Sequence, residues 1–113
     1  MSSIPSIDDQ APVSVLRLIE VHPSGFKRLY REIARFVEGP GNESPGLIDA
    51  QLFGSYDGTR IAIMAHFSKR EDWARAQWDL RLGHLLEGIV GCGPIDFNLY
   101  WEHRVDEGLP AAV

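Results

Sequence analysis

The chain has 113 residues, a net charge of −5 and 44% hydrophobic residues, which is the composition of one ordinary globular domain. It has no basic stripe, which argues against nucleic acid as a partner. Its single cysteine, Cys92, excludes an internal disulfide. No apolar run reaches membrane-spanning length and residues 1–12 lack the pattern of a signal peptide, so no membrane contact and a cytoplasmic location are expected.

The first half of the chain predicts a strand and a helix. Residues 1–12 are rich in serine, proline and aspartate, and we expect a flexible N-terminal arm there. Residues 13–22 are dominated by branched apolar side chains and predict a strand. Ser24 is the expected N-cap of a helix over residues 25–38. That helix carries one continuous apolar stripe: Phe26, Leu29, Tyr30, Ile33 and Val37.

The second half predicts three strands and a second helix. A glycine- and proline-rich loop over residues 39–46 leads into a strand over 47–55. Asp57-Gly58 is typical of a hairpin turn into a strand over 60–67. A helix then begins at Lys69 and ends at the turn of residues 91–94, and a last strand covers 95–102. Residues 105–113 are a polar tail, so the folded domain is expected over 13–104.

The predicted order, β-α-β-β-α-β, is that of the α+β class with a ferredoxin-like arrangement, an antiparallel sheet with helices on one face. The third strand is apolar on both faces, with Ile61 and Ile63 on one and Ala62 and Met64 on the other. Two helices cover only one face of such a sheet. We therefore expect a homodimer in which two sheets face each other.

The second helix carries two apolar stripes, one through Trp73 and Leu80 and the other through Trp78 and Leu82. A straight helix rarely buries two opposed stripes against one sheet. Either the helix breaks near Gly83, or its far side packs on a partner subunit. A break would open a cavity between helix and sheet. The lysines and arginines, Arg17 among them, are scattered and predict solvated surface positions.

The element order, the Pro45-Gly46 entry to the second strand and the Ser68-Lys-Arg-Glu-Asp-Trp73 helix start together resemble the antibiotic biosynthesis monooxygenase superfamily, which has the dimeric α+β barrel fold. The resemblance covers roughly residues 13–104. It implies a small enzyme that oxidises aromatic polyketides of the anthrone or quinol type, in natural-product biosynthesis, without a cofactor. Polyketide cyclases belong to neighbouring families with the same fold.

One departure from that family lies at the end of the third strand. Its oxygenases commonly carry a tryptophan there, two residues before a serine, and an asparagine four residues before the tryptophan. This chain has His66 and Ala62 at those spacings. The asparagine–tryptophan pair associated with anthrone oxidation and haem degradation is therefore absent at these positions, which favours a different reaction on the same fold.

His66 is the leading candidate for a catalytic residue. An imidazole at a strand end can take or give a proton near neutral pH, either from an anthrone carbon or in enolisation of a ketone. His22, at the end of the first strand, is the second candidate if the two rings meet at one pocket mouth. The alternative for each is a structural histidine. No two histidines have metal-ligand spacing, so no metal is expected.

The predicted substrate pocket lies between the helices and the sheet. Three large aromatic side chains around the proposed gap suggest a site for a flat apolar molecule. Polar groups on the first helix and the last strand could hydrogen-bond a substrate oxygen. The candidate binding residues are as follows: Phe26, Tyr30, Met64, Trp73, Trp78, His84, Asn98 and Tyr100.

Three functions remain open from the sequence. The first is a cofactor-independent monooxygenase acting on an aromatic polyketide-like substrate. The second is a polyketide cyclase or dehydratase that uses no O₂. The third is a non-catalytic protein that binds a small ligand or serves a biosynthetic complex, which a cavity plugged by Trp73, Trp78 and Tyr30 would indicate. Neither a phosphate loop nor a dinucleotide fingerprint is present, so no cofactor is expected.

Overall fold

The computed structural model describes the backbone of residues 11–89 and 91–101, and side chains within these ranges up to residue 93. The predicted arm up to residue 10, His103 and the predicted tail lie outside the described residues. The elements run in this order: β1 (Val13–Val21), α1 (Pro23–Glu38), a 3₁₀ turn (Pro40–Glu43), β2 (Leu47–Gly54), β3 (Arg60–Phe67), α2 (Arg70–Ala76), α3 (Trp78–Glu87) and β4 (Cys92–Trp101).

The four strands form one antiparallel sheet in the order β2-β3-β1-β4. This is the ferredoxin-like α+β arrangement, so the predicted fold class is confirmed. β4 begins at Cys92 and not at the predicted residue 95, because its pairing with β1 continues to Val21 past an irregularity between Leu18 and Ile19. Cys92 is thus part of a strand and not of the predicted turn.

Helix α1 begins earlier than the sequence indicated. Its N-cap is His22, whose Nδ1 accepts a hydrogen bond from the backbone N–H of Ser24 at 3.1 Å, and Pro23 occupies the first turn. The prediction of Ser24 as the cap is therefore wrong. Proline suits the first turn because its missing N–H would have no helical partner there. Leu29 and Ile33 of the predicted stripe are buried, together with Phe36.

The two faces of the sheet have different surroundings. Every second residue of β1 and β3 is buried against the helices. The other face carries Leu16, Leu18 and Met64, which are half-buried, and Phe53 of β2, which is 47% exposed. We call this second surface the open face. Met64 lies on the face of β3 that its alternating pattern predicted.

The second predicted helix is two helices, α2 and α3, joined at Gln77. Gln77 has φ of 54° and ψ of 37°, a left-handed conformation that interrupts the helical hydrogen bonds. The break therefore lies at Gln77 and not near Gly83, which is inside α3. The change of axis lets both apolar stripes reach the interior, because Trp73 ends up buried on α2 and Trp78 on α3.

Four aromatic rings fill the layer between the helices and the sheet beside this break. We call Phe36, Phe67, Trp73 and Trp78 the four-ring cluster. Their neighbouring ring centroids are 5.1–6.3 Å apart with edge-on geometry, which is a favourable arrangement for aromatic side chains. The Trp78 indole N–H donates to Ser44 Oγ at 2.9 Å. Side chains therefore occupy the place where a cavity beside the helix break was expected.

Candidate functional site

The strand register arranges residues of the open face in rows across the sheet. One row runs through Asp49, His66, Ser14 and Tyr100, one residue from each strand in sheet order. The next row, two residues along, runs through Gln51, Met64, Leu16 and Asn98. Four of the predicted site residues, Met64, His66, Asn98 and Tyr100, therefore occupy adjacent register positions.

His66 forms an ion-pair contact with a carboxylate of the neighbouring strand. Its Nδ1 lies 2.5 Å from Oδ1 of Asp49. The imidazole is 22% exposed and the carboxylate 59% exposed. When the ring is neutral, its Nδ1–H donates to the carboxylate and the lone pair is on Nε2. A base held in one tautomer by a carboxylate is the usual arrangement of a general base in enzymes.

A shift in strand pairing brings these two side chains together. The register of β2 against β3 is irregular between Leu47 and Asp49, so that Leu47 pairs with Phe67 while Asp49 pairs with His66. Such a bulge re-aims the side chains of an edge strand. It puts Asp49 directly beside His66 on the open face, next to the half-buried Met64 row. The result is a polar pair one row from the half-buried side chains of Leu16 and Met64.

His22 does not reach His66. His22 follows the last residue of β1, whereas Ser14, near the start of β1, is the residue that pairs with His66. His22 lies about eight residues further along, which is roughly 26 Å at 3.3 Å per residue. Its imidazole is exposed and caps α1. The expectation that the two rings share one pocket mouth is therefore wrong.

The two tryptophans lie on the other side of the sheet from His66. Trp73 and Trp78 are buried in the four-ring cluster, and Phe67, the neighbour of His66, is the β3 residue that contacts them. Within the part of the chain that the structure describes, His66 and the two tryptophans therefore do not face a common pocket. His84 is exposed in the last turn of α3.

Phe26 and Tyr30 stack on each other with ring centroids 5.8 Å apart. Each lines a shallow cleft beside β2. The cleft at Phe26 has a volume of about 390 Å³ and is closed on one side by the hairpin of Tyr56 and Gly58. The cleft at Tyr30 has about 310 Å³ and lies between α1 and Leu52. Neither cleft includes His66, so these two residues form a separate surface.

Two other ionisable groups have shifted pKa values. Hydrogen bonds from Thr59 and Ser55 lower the pKa of Asp57, which stabilises the tight turn between β2 and β3. Burial raises the pKa of the Cys92 thiol, whose Sγ lies 3.1 Å from the carbonyl oxygen of Ile89. A thiol that resists ionisation is a poor nucleophile.

Three functional candidates were not anticipated. Arg17 is only 1% exposed, so its assignment to a solvated surface is wrong. It pairs with Asp79 of α3. No sequence pattern indicated a role for Asp49, because its contact with His66 depends on the register of β2 against β3. The alternation in β1 could have indicated that Arg17 is buried. Arg17 occupies a position at which the pattern has apolar residues: Val13, Val15, Ile19 and Val21.

The described residues contain neither a metal-binding group nor a membrane-spanning helix. Among residues 11–89 and 91–93, no group of three or more His, Cys, Asp or Glu side chains could hold a metal ion. Over the same part of the chain, no helix is both long enough and apolar enough to cross a membrane.

Comparison with known proteins gives structural likeness only. The chain matches no protein-family model, and it matches no curated protein. It is similar to SnoaB, a cofactor-independent oxygenase from Streptomyces nogalater, at 17% identity and a TM-score of 0.62, covering 84% of this chain and 96% of that one. It is also similar to a monooxygenase, ActVA-Orf6 of Streptomyces coelicolor, solved with nanaomycin D, at 17% identity and a TM-score of 0.67, covering 92% and 96%.

A conserved protein from Methanosarcina mazei is similar as well, at 11% identity and a TM-score of 0.68, covering 84% of this chain and 96% of that one. These likenesses span nearly all of each relative. The fold that the resemblance implied for a single chain is therefore confirmed, because the chain has the fold of SnoaB and of ActVA-Orf6.

Proposed function

We propose that the chain is a cofactor-independent monooxygenase that acts on a flat aromatic substrate of the anthrone or quinol type. The observation that carries the proposal is the 2.5 Å contact between His66 Nδ1 and Asp49 Oδ1 on the open face, one row from the half-buried Leu16 and Met64. The likeness to SnoaB, itself a cofactor-independent oxygenase, supports the reaction type. The likeness to ActVA-Orf6, a monooxygenase solved with the ligand nanaomycin D, supports a small-molecule substrate.

The substrate would lie on the open face, with its reactive carbon at His66 Nε2. Met64 is half-buried one row away, and it would contact the flat face of the substrate. Asn98 and Tyr100 hold register positions in the two rows concerned, and we propose them as further binding residues. The other predicted site residues are not part of the proposed site, because they do not lie on the open face near His66. They are Phe26, Tyr30, Trp73, Trp78, His84 and His22.

The chemistry requires only a base and O₂. Nε2 of His66 removes a proton from an anthrone methylene, and Asp49 stabilises the imidazolium that forms. The resulting carbanion passes one electron to O₂, and the substrate radical and superoxide combine to form a C–O bond. Protonation gives a hydroperoxide. Loss of the second hydrogen from that carbon breaks the O–O bond, so that one methylene and one O₂ give one ketone and one water.

We further propose that a second copy of the chain covers the open face. The apolar residues of that face have no helix over them in the described residues, and exposed apolar surface of this kind is usually an interface. Two such sheets pack about 10 Å apart. A substrate held between them is shielded from water, which strengthens the electrostatic stabilisation of its anion.

The test is product mass after incubation with an anthrone-type tricyclic substrate under ¹⁸O₂, with a parallel incubation without oxygen. The proposal predicts a quinone-type product that carries one ¹⁸O atom, formed only with O₂. Product that forms equally in both atmospheres and carries no label would contradict it. Protein boiled beforehand provides the background rate, because anthrones oxidise slowly in air.

A cyclase or dehydratase is the second candidate, and one observation favours it. His66 and Ala62 occupy the positions at which the resembling oxygenases have tryptophan and asparagine. A base alone is sufficient for enolisation and aldol closure. Loss of water from a polyketide-like ketone, at equal rates with and without O₂, would support this reading over the oxygenase.

A non-catalytic binding protein is the third candidate. It is favoured by the filled layer between helices and sheet, where Trp73 and Trp78 pack on each other. Tyr30, the third predicted plug, lies instead at an outer cleft. Tight binding of the tricyclic substrate with no change in its mass, in either atmosphere, would support this candidate.

A further inference from the structure

A serine stands next to the pair of Asp49 and His66 in the same row of the sheet. Ser14 of β1 pairs directly with His66 of β3, and His66 pairs with Asp49 of β2. Directly opposed residues that share a face of an antiparallel pair have Cβ atoms about 4.5–5.5 Å apart. The row therefore puts a carboxylate, an imidazole and a hydroxyl in successive positions, in the order in which serine hydrolases use them.

All three side chains belong to the open face and are reachable from solvent. The neighbours of Ser14 in β1, Val13 and Val15, are buried against the helices, and consecutive strand residues point to opposite faces. Ser14 therefore lies on the open face, where it is half-buried. His66 is placed in the same way, because both of its neighbours in β3 are fully buried. Its imidazole is 22% exposed, and the carboxylate of Asp49 is 59% exposed.

The orientation of the imidazole agrees with this order. Nδ1 of His66 lies 2.5 Å from Oδ1 of Asp49, so that edge of the ring faces β2. β3 lies between β2 and β1 in the sheet, and Nε2 belongs to the ring edge opposite Nδ1. Nε2 is therefore on the side of β1, where Ser14 lies. An imidazole with a carboxylate at Nδ1 and a hydroxyl on the side of Nε2 is the arrangement that activates a serine.

The next row of the open face indicates the class of substrate. It consists of Gln51, Met64, Leu16 and Asn98, all of them uncharged. Leu16 and Met64 are half-buried, and an apolar chain or ring can pack on them while the carbonyl carbon of the same molecule lies at Ser14. A neutral molecule with an apolar group beside a reactive carbonyl is favoured, and a carboxylic ester has this chemistry.

We propose that Ser14 is a nucleophile for carboxylic esters, with His66 as its base and Asp49 as the residue that positions His66. Oγ of Ser14 attacks the carbonyl carbon while Nε2 of His66 takes the hydroxyl proton. The C–O bond to the alcohol then breaks, and the alcohol leaves with that proton. A water molecule deprotonated by His66 attacks the acyl group and frees Ser14, so that one ester and one water give one carboxylic acid and one alcohol.

This activity goes beyond the proposed oxidation and does not depend on it. Hydrolysis uses no O₂ and takes no hydrogen from carbon. The oxidation in turn needs no serine, because its base is His66. Ester hydrolysis without oxidation, or oxidation without ester hydrolysis, would therefore decide the two proposals separately.

The first test treats the wild-type protein with diisopropyl fluorophosphate, which forms an O–P bond with an activated serine and releases fluoride. Mass mapping of peptides is expected to find the label on Ser14, and His66→Gln is expected to lose it. Ser24 is the internal control, because its Oγ lies 2.8 Å from Nδ1 of a histidine that caps α1. Label on Ser24 instead of Ser14, or no label on any serine, would overturn the inference.

The second test measures the release of 4-nitrophenolate from 4-nitrophenyl butyrate in the absence of O₂. Ser14→Ala and His66→Gln are each expected to lower the rate by about a hundredfold or more. Because a nucleophile and its base act as a unit, the double variant is expected to be no slower than either single variant. Ser24→Ala is the matched control and keeps the wild-type rate.

Three results of the second test would contradict a nucleophilic Ser14. One is a rate for Ser14→Ala equal to that of Ser24→Ala. Another is a loss in the double variant that equals the product of the two single losses, because independent residues would give that result. The third is a wild-type rate no higher than that of boiled protein. The labelling of the wild-type protein needs no variant, so it decides the inference even where Ser14→Ala does not fold.

Discussion

The imidazole of His66 and the carboxylate of Asp49 meet across two neighbouring strands, with Nδ1 and Oδ1 2.5 Å apart. The irregular register of β2 between Leu47 and Asp49 makes this contact possible. Because the pair is one row from the half-buried Leu16 and Met64, it combines a positioned base with surface that a flat substrate can cover. This relationship is the physical basis of the proposed reaction.

Asp49→Asn tests the role of the carboxylate. The amide cannot stabilise an imidazolium, and it no longer fixes the tautomer of His66. We expect turnover of an anthrone-type substrate to fall by about tenfold to a hundredfold, because a positioned general base contributes on the order of 10² to 10⁴. Initial rates at saturating substrate measure the effect. Glu87→Gln is the control, and an Asp49→Asn rate equal to that of the control contradicts the role.

Leu16→Lys tests whether the open face is an interface. Leu16 is in the middle of that face, and a lysine there would bury unpaired charge in each subunit of a face-to-face dimer. We expect light scattering to give twice 12.6 kDa for the wild type and the single mass for the variant. Leu80→Lys places the same change on α3, where Leu80 is 59% exposed, and should remain dimeric. A monomeric wild type would contradict the proposed dimer.

Trp78→Ala tests how much of the stability comes from the four-ring cluster. Trp78 is fully buried, and truncating a buried tryptophan costs about 3–5 kcal/mol of unfolding free energy. Ser44→Ala removes only the hydrogen bond to its indole and should cost about 1 kcal/mol. Urea unfolding of the three proteins measures both values. Equal losses for the two variants would show that the cluster contributes little through packing.

Gln77→Gly tests the strain at the helix junction. A non-glycine residue in the left-handed region is unfavourable, and glycine relieves that at some cost in chain entropy, so we expect a gain of about 0.5–1 kcal/mol. Ala74→Gly, at an exposed position inside α2, should instead lose about 1 kcal/mol. The opposite signs in urea unfolding identify the effect as conformational. A loss at both positions would place Gln77 in an ordinary helix.

Cys92 gives a prediction on pH dependence. Burial raises the pKa of its thiol, so the reactive thiolate forms only at higher pH than in an exposed cysteine. Alkylation by iodoacetamide at pH 8 is therefore expected to be slower than that of glutathione, and to speed up on unfolding in guanidinium chloride. Reaction in the native state as fast as that of glutathione would contradict the burial of the thiol.

Periodicity was sufficient to predict most of the fold. Apolar side chains are buried on folding, and they alternate in β1 and β3 and form a stripe on α1. The buried face of each of these elements could therefore be predicted from the sequence. The break at Gln77 could not be predicted, since glutamine does not mark a left-handed residue and Gly83 was the better candidate by composition. Burial of Arg17 was missed because its partner, Asp79, is 62 residues away in the chain.

The candidate site was predictable only in part. His66 stood out because a titratable ring ends an apolar strand. Its partner Asp49 depends on a bulge in β2, which alternation alone does not locate. The tryptophans were assigned to the same pocket because they follow His66 closely in the chain, yet consecutive strand residues point to opposite faces. Phe67 is therefore the residue that faces Trp73 and Trp78.

The most direct test of the central claim is the turnover of His66→Gln, measured as O₂ consumption with an anthrone-type substrate. Glutamine keeps a polar side chain that can hydrogen-bond Asp49, but it cannot accept the proton. If His66 removes the proton, the rate of the variant is about a hundredfold or more below that of the wild type, with the melting temperature and the oligomeric mass unchanged. A rate within twofold of the wild type, approximately what a bystander histidine would give, contradicts proton removal by His66.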